Sequence, residues 1–282
     1  MSKFKPYVDF AGVMNMAHRG GAGHGPENTL QAFQQALTEG AQVFELDVHH
    51  TQDGYIVVHH DPDLERTAGV SLKISETPLK VLKTFDIAQP FRRSNNNPPP
   101  LIFQALQQTI TLPTLAEVFD EFPHARINID IKPRKAFPVL ELIRLIEEKG
   151  MTERVLVVSQ YRKYLRITRR INPRLATGLS MSEVFCLKFI PFYRPKGDAL
   201  QIGWLYYLKG LIAIGKVTRR LVAKAQRKGL KVHVFITEGK AGMPPEERIE
   251  KEAGDIKRLL DLGVDGIITD SPSLLKQILD NK

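Results

Sequence analysis

Short apolar runs that can serve as buried strands alternate along this chain with segments of helical spacing, and such a rhythm builds a parallel sheet from strand–helix units. Strands are predicted near Met14–Ala17, Val43–Val48, Ile127–Ile131, Val155–Val158, Ala176–Leu179, Ala199–Ile202, Val232–Ile236 and Gly266–Ile268. Helical spacing fills Thr29–Glu39, Phe137–Lys149, Val217–Lys228 and Glu246–Leu262, with Gly40, Gly150, Gly229 and Gly263 placed as helix C-caps. Eight strands with crossover helices predict an α/β (β/α)8 barrel of the TIM type, for which 282 residues is an ordinary length. The rhythm breaks between Asp61 and Pro113, where Asn95-Asn96-Asn97-Pro98-Pro99-Pro100 can continue neither a helix nor a central strand. We read one domain over 1–282, with a small insertion after the second strand at about residues 62–113.

In such a barrel the loops that follow the strands converge on one mouth, so function is sought at strand C-termini. The first strand ends in His18-Arg19-Gly20 and leads through a glycine-rich loop into Pro26-Glu27-Asn28-Thr29. That loop permits close approach of a ligand, although turn geometry alone also selects glycine. The second strand ends in Phe44-Glu45-Leu46-Asp47, and alternation along a strand puts Glu45 and Asp47 on one side. Carboxylates that close raise each other's pKa unless a cation or a basic side chain neutralises them, and Mg2+ or Ca2+ suits oxygen ligands. A salt-bridged pair is the simpler reading of Glu-x-Asp by itself. The surroundings favour the metal, because Tyr55–Val58 returns His59-His60-Asp61 to the same rim, where His60 faces His18. Imidazoles that titrate near neutrality can act as acid and base on a phosphoester. In the third strand Asn128, Asp130 and Lys132 share a face, so Asp130 could complete the metal site and Lys132 could contact phosphate.

His-Arg-Gly, five residues, Pro-Glu-Asn-Thr, then Glu-x-Asp and His-Asp together resemble the glycerophosphodiester phosphodiesterase family. The likeness is close over residues 14–69, returns at Asn128–Lys132 and Gly263–Asp270, and is weak in the middle of the chain. It implies a TIM barrel that hydrolyses glycerophosphodiesters, or lysophospholipids in the manner of a lysophospholipase D, to an alcohol and a phosphomonoester. It also implies one divalent cation, Mg2+ or Ca2+, on Glu45, Asp47 and Asp130, acid/base catalysis by His18 and His60, and phosphate contacts from Arg19 and Lys132. The third-strand ligand is Asp130 where the family usually has Glu, and Phe235-Ile236-Thr237-Glu238 replaces a Trp-Thr strand end. Phe235 would keep an apolar wall beside the substrate.

Lys and Arg number 40 against 31 Asp and Glu, a net charge of +9 that favours anionic partners. No zinc finger, helix-turn-helix or aromatic RNA-binding motif accompanies the surplus, so nucleic acid is not expected. Two aromatic-rich stretches, Val184–Tyr193 and Trp204–Ile214, follow predicted strands; Lys188 and Lys209 interrupt them, and neither is long enough to span a bilayer. With Lys196, Lys216, Arg219 and Arg220 nearby, they read as a peripheral membrane contact; packing on the barrel or in a dimer is the alternative. Arg162, Lys163, Arg166, Arg169, Arg170 and Arg174 recur at helical intervals and read as a solvated face. Cys186 is the single cysteine, which excludes an internal disulfide and reads as a packed thiol. The first residues lack the apolar core of a secretory signal, so a cytoplasmic address, peripheral to a membrane, is expected. A non-catalytic protein binding lipid surfaces or anions is the alternative function, weakened by the presence of both histidines and both carboxylates. Nothing in the sequence sets the oligomeric state.

Overall fold

Strand Met14–Ala17 (β1) is buried along its whole length, as a strand must be when one face packs on a barrel axis and the other on helices. The structure, a computed structural model, describes residues 4–94, 99–133, 136–203, 205–208, 212–236 and 245–281. Parallel strands follow at Val43–His50 (β2), Arg126–Ile131 (β3), Val155–Val158 (β4), Ala176–Thr177 (β5), Ala199–Gly203 (β6), Lys231–Phe235 (β7) and Gly266–Thr269 (β8). They pair in the order β5-β4-β3-β2-β1-β8-β7-β6, and a parallel bridge between Gly178 and Ala199 joins the two ends. The α/β barrel expected from the alternation is thus present. Strand β5 is shorter than the sequence reading, and beyond it Gly178 passes so close to β4 that a Cβ there would lie 2.8 Å from Val158 Cγ1.

The outer ring consists of Leu30–Thr38 (α1), Leu115–Glu121 (α2), Val139–Glu148 (α3), Arg162–Ile171 (α4), Met181–Phe189 (α5), Arg219–Arg227 (α6), Pro245–Leu262 (α7) and Pro272–Asp280 (α8). Thr29, Thr114 and Thr218 cap α1, α2 and α6 by accepting a hydrogen bond from a first-turn amide, so the first and last of these helices begin after the residues that sequence spacing suggested. Met14, Met16, Val43, Leu156, Ala199 and Ile268 fill the barrel axis, and Tyr7 and Val8 pack against them.

Strand Ile56–Val58 pairs antiparallel with β2. The interval after it holds the antiparallel pair Asp63–Leu64 and Val70–Lys73 with short helices, packed around Leu64, Ile74, Leu82 and Leu112. Residues 95–98 of the Asn/Pro run lie outside the described residues, as do Trp204, residues 209–211 and Thr237-Glu238; Leu205–Leu208 and Ile212–Lys216 form an antiparallel ladder. Among the described residues no helix is long and apolar enough to cross a membrane. The basic run of α4 departs from a uniform solvated face at Arg169. Its guanidinium turns inward to Glu183, the Thr177 hydroxyl and the Gly178 carbonyl. Cys186 is a free, half-buried thiol.

Candidate active site

Strands β2 and β3 run in register, with Glu45 opposite Asn128 and Asp47 opposite Asp130, so two carboxylates of one strand meet a third on its neighbour. One oxygen from each of Glu45, Asp47 and Asp130 falls within 4.8 Å of the others. Burial and the Asp47 charge push Glu45 up to about 7. Burial acts upward on Asp47 too, but Lys132 and Arg19 outweigh it and hold that carboxyl well below the usual range. The Lys132 ammonium lies 2.8 Å from both Asp47 Oδ1 and Asp130 Oδ2, so the lysine expected to meet phosphate is committed here to the acidic cluster. Asn28, held at φ 57°, donates to Asp47 Oδ2 at 3.0 Å and receives the Asp47 amide at 3.3 Å.

His18 stands at the end of β1 with Nδ1 2.8 Å from Asp270 Oδ1, at the end of β8. Burial disfavours its charge, but Asp270 more than compensates, and the imidazole is raised to about 9. Glu252 of α7 accepts hydrogen bonds from Thr269 and Ser271, on either side of Asp270. Gly20 and Gly21 take left-handed angles directly after Arg19, where a Cβ on Gly20 would come 2.8 Å from Phe33 Cδ1. Steric fit therefore accounts for glycine at these positions. Arg19 is itself left-handed at φ 50°, with its amide donating to Glu45 at 3.0 Å and its guanidinium reaching Glu27 at 3.0 Å and Asp47 at 3.4 Å.

His60 pairs through Nδ1 with Asp61 at 2.8 Å. Asp61 also meets Arg66, Arg66 meets Glu27, and Glu27 meets Arg19, which closes a chain of charges from His60 back to Asp47. The Arg19 amide meets Glu45 and the His59 amide meets the Asp47 carbonyl, so the residues next in sequence, His18 and His60, both stand beside the acidic cluster. Their neighbours do other work. His59 is held between the Asp61 carbonyl and the Thr67 hydroxyl, His49 bonds the His60 carbonyl, and burial, as the main cause, lowers both imidazoles. Phe235 ends β7 half-buried against the interior cluster, level with Gly203 and Ile268. Asp270, Asp61, Glu27 and Arg66 went unassigned in the sequence reading. The available signal was position: in a closed barrel β8 borders β1, so a carboxylate ending β8 faces the histidine ending β1.

Three clustered carboxylates, two of them buried, concentrate negative charge that Lys132 and Arg19 offset in part, and hard oxygen donors at this density fit a divalent cation. The model of the "Glycerophosphoryl diester phosphodiesterase family" matches residues 18–274. A lysophospholipase D of Mus musculus is 28% identical over 278 residues, covering 95% of this chain and 86% of that protein. A glycerophosphodiester phosphodiesterase of Caldanaerobacter subterraneus is 29% identical, covering 92% of this chain and 95% of its own. Among solved structures, an Oleispira antarctica phosphodiesterase in complex with the product sn-glycerol-3-phosphate superposes with a TM-score of 0.73 at 22% identity, over 98% of this chain and 99% of that one. On the family match, this chain belongs to the glycerophosphoryl diester phosphodiesterase family and is a phosphoric diester hydrolase.

Proposed function

We propose that the chain is a single catalytic unit that cleaves glycerophosphodiesters, and lysophospholipids presenting the same diester, with His18 as proton donor and His60 as base. The carrying observation is that each histidine has its own carboxylate, Asp270 or Asp61, beside one acidic cluster. An imidazole raised to about 9 is protonated at neutral pH and able to protonate a leaving alkoxide. His60, oriented by Asp61, would take the proton of a glycerol hydroxyl that attacks phosphorus as the alcohol leaves, and water would then open the cyclic phosphate to the phosphomonoester. Arg19, fixed by Glu27 and Asp47, adds positive charge beside the phosphate. Mg2+ or Ca2+ held by Glu45, Asp47 and Asp130 would supply Lewis-acid charge against the phosphoryl oxygens. Such binding competes with Lys132 for Asp47 and Asp130, which leaves the ammonium as a counter-charge for the substrate. Phe235, half-buried at the end of β7, forms an apolar wall of the mouth.

A substrate panel tests this reading. Purified protein should release choline from glycerophosphocholine and from lysophosphatidylcholine, lose both activities in chelator, and regain them with added Mg2+ or Ca2+. Absence of choline release from either compound under every metal condition overturns it.

A further inference from the structure

Helix α5 starts at the C-terminal rim, right after β5, with Ser180 and Glu183 forming a capping box. Its inner side buries Val184 and Leu187 against Leu200, Val217 and Leu221. The opposite side of a barrel helix ordinarily carries charge. Here that stripe is Met181, Phe185 and Phe189, spaced four apart and exposed to 46%, 56% and 52%. The chain then leaves the helix through Ile190 and Phe192, the latter 92% exposed. The Phe185 and Phe189 rings lie 4.7 Å apart, so the apolar residues form one patch.

The charge around the patch has one sign. From Tyr161 to Gly197 the sequence holds nine basic residues and one acidic residue, which places eight of the chain's nine net positive charges in this segment. The acidic residue, Glu183, is buried and paired with Arg169, so it offers nothing to an outside cation. On the adjacent helix α4, Arg162, Lys163, Arg166 and Arg170 are exposed, with Ile167 and Ile171 exposed among them.

We infer that the outer face of α5, with the basic face of α4 beside it, docks the enzyme on an anionic phospholipid bilayer. Phenylalanines on one stripe can enter the headgroup layer, while arginine and lysine beside them meet lipid phosphates and carboxylates. A nucleic-acid partner would use the cations but gives no reason for bare phenylalanines along a helix. The inference rests on the diester reading above: docking along the outer side of α4 and α5 holds the barrel against a surface where lipid-derived diesters reside, with the Met181 end of the stripe on the side of the mouth.

The test floats full-length protein on vesicles of phosphatidylcholine alone and of phosphatidylcholine with about 30% phosphatidylserine, next to a soluble glycerophosphocholine assay. Binding should require the anionic lipid and weaken in about 0.5 M salt. The triple variant Phe185→Ser, Phe189→Ser, Phe192→Ser should bind at least about tenfold more weakly while hydrolysing glycerophosphocholine like the wild type, which also reports its folding. Lack of wild-type binding to anionic vesicles overturns the inference, as does undiminished binding by the variant. A second variant, Arg166→Glu with Arg170→Glu, should lose binding without touching the apolar stripe, and unchanged binding contradicts the charge half. Vesicle binding without any hydrolysis would sink the diester reading and leave the docking face standing; hydrolysis without binding does the reverse. Self-association through the phenylalanines, seen by sedimentation as a dimer that the triple variant abolishes, with no vesicle binding, replaces the bilayer with a second copy.

Discussion

The barrel mouth and the outer flank formed by α4 and α5 are built from opposite materials. Where β1, β2, β3 and β8 end, charged side chains are at least half-buried and nearly all paired: His18 with Asp270, His60 with Asp61, Arg19 with Glu27, Lys132 with Asp47 and Asp130. Along the outer sides of α4 and α5, cations stand exposed and phenylalanines face outward. Buried pairs hold side chains in fixed geometry and shift their proton affinities, which suits chemistry. Exposed cations beside apolar side chains are held weakly and suit attachment.

The contrast predicts unequal responses to substitution. Asp47→Asn should cost most: it leaves Arg19 and Lys132 facing each other across a neutral amide, with a stability loss of about 3 kcal/mol in denaturant titration. Turnover of glycerophosphocholine should fall below detection in the same variant. Lys132→Met should come next. Without its ammonium the three carboxylates repel one another, so metal-free protein should unfold at lower temperature and show a larger upward thermal shift on adding Mg2+ than the wild type. An equal shift in both proteins would mean that lysine and metal do not compete.

Asp270→Asn should be milder, about 10- to 10³-fold in turnover, and its signature is pH dependence. His18 is raised from 6.5 to about 9, so its charged pair stabilises the fold fully below pH 6.5 and that contribution is lost as pH rises through about 9. The alkaline limb of the wild-type rate profile should follow the same loss of the proton donor. In Asp270→Asn burial acts without its counterweight, so the alkaline limb should move to lower pH; an unmoved limb rules out His18 as the donor. Arg170→Gln on the attachment side should change stability by less than about 0.5 kcal/mol and leave soluble turnover unaltered, since its side chain is exposed.

The same division governs what could be read from sequence. Strand rhythm made the barrel legible, and alternation within β2 put Glu45 and Asp47 on one side before any coordinates. Register between β2 and β3 then decided that Asp130 lies opposite Asp47, which spacing along one strand cannot express. Asp270 is 252 positions from His18 and Arg66 is 39 from Glu27, so these partners emerge only when the sheet closes and the segment after β2 folds back. For Lys132, alternation with Asp130 fixed its side of the strand but not its nearest charge, which is a carboxylate of the cluster. Arg169 looked solvent-facing by helical period, but Glu183 from the next helix turns it inward.

The most direct measurement is glycerophosphocholine turnover by His18→Ala and by His60→Ala beside the wild type, with thermal unfolding recorded on each sample. Paired acid/base histidines predict a fall of about 10² to 10⁴ in either variant with the fold retained. Turnover within a fewfold of wild type in either variant would contradict the assignment of that histidine.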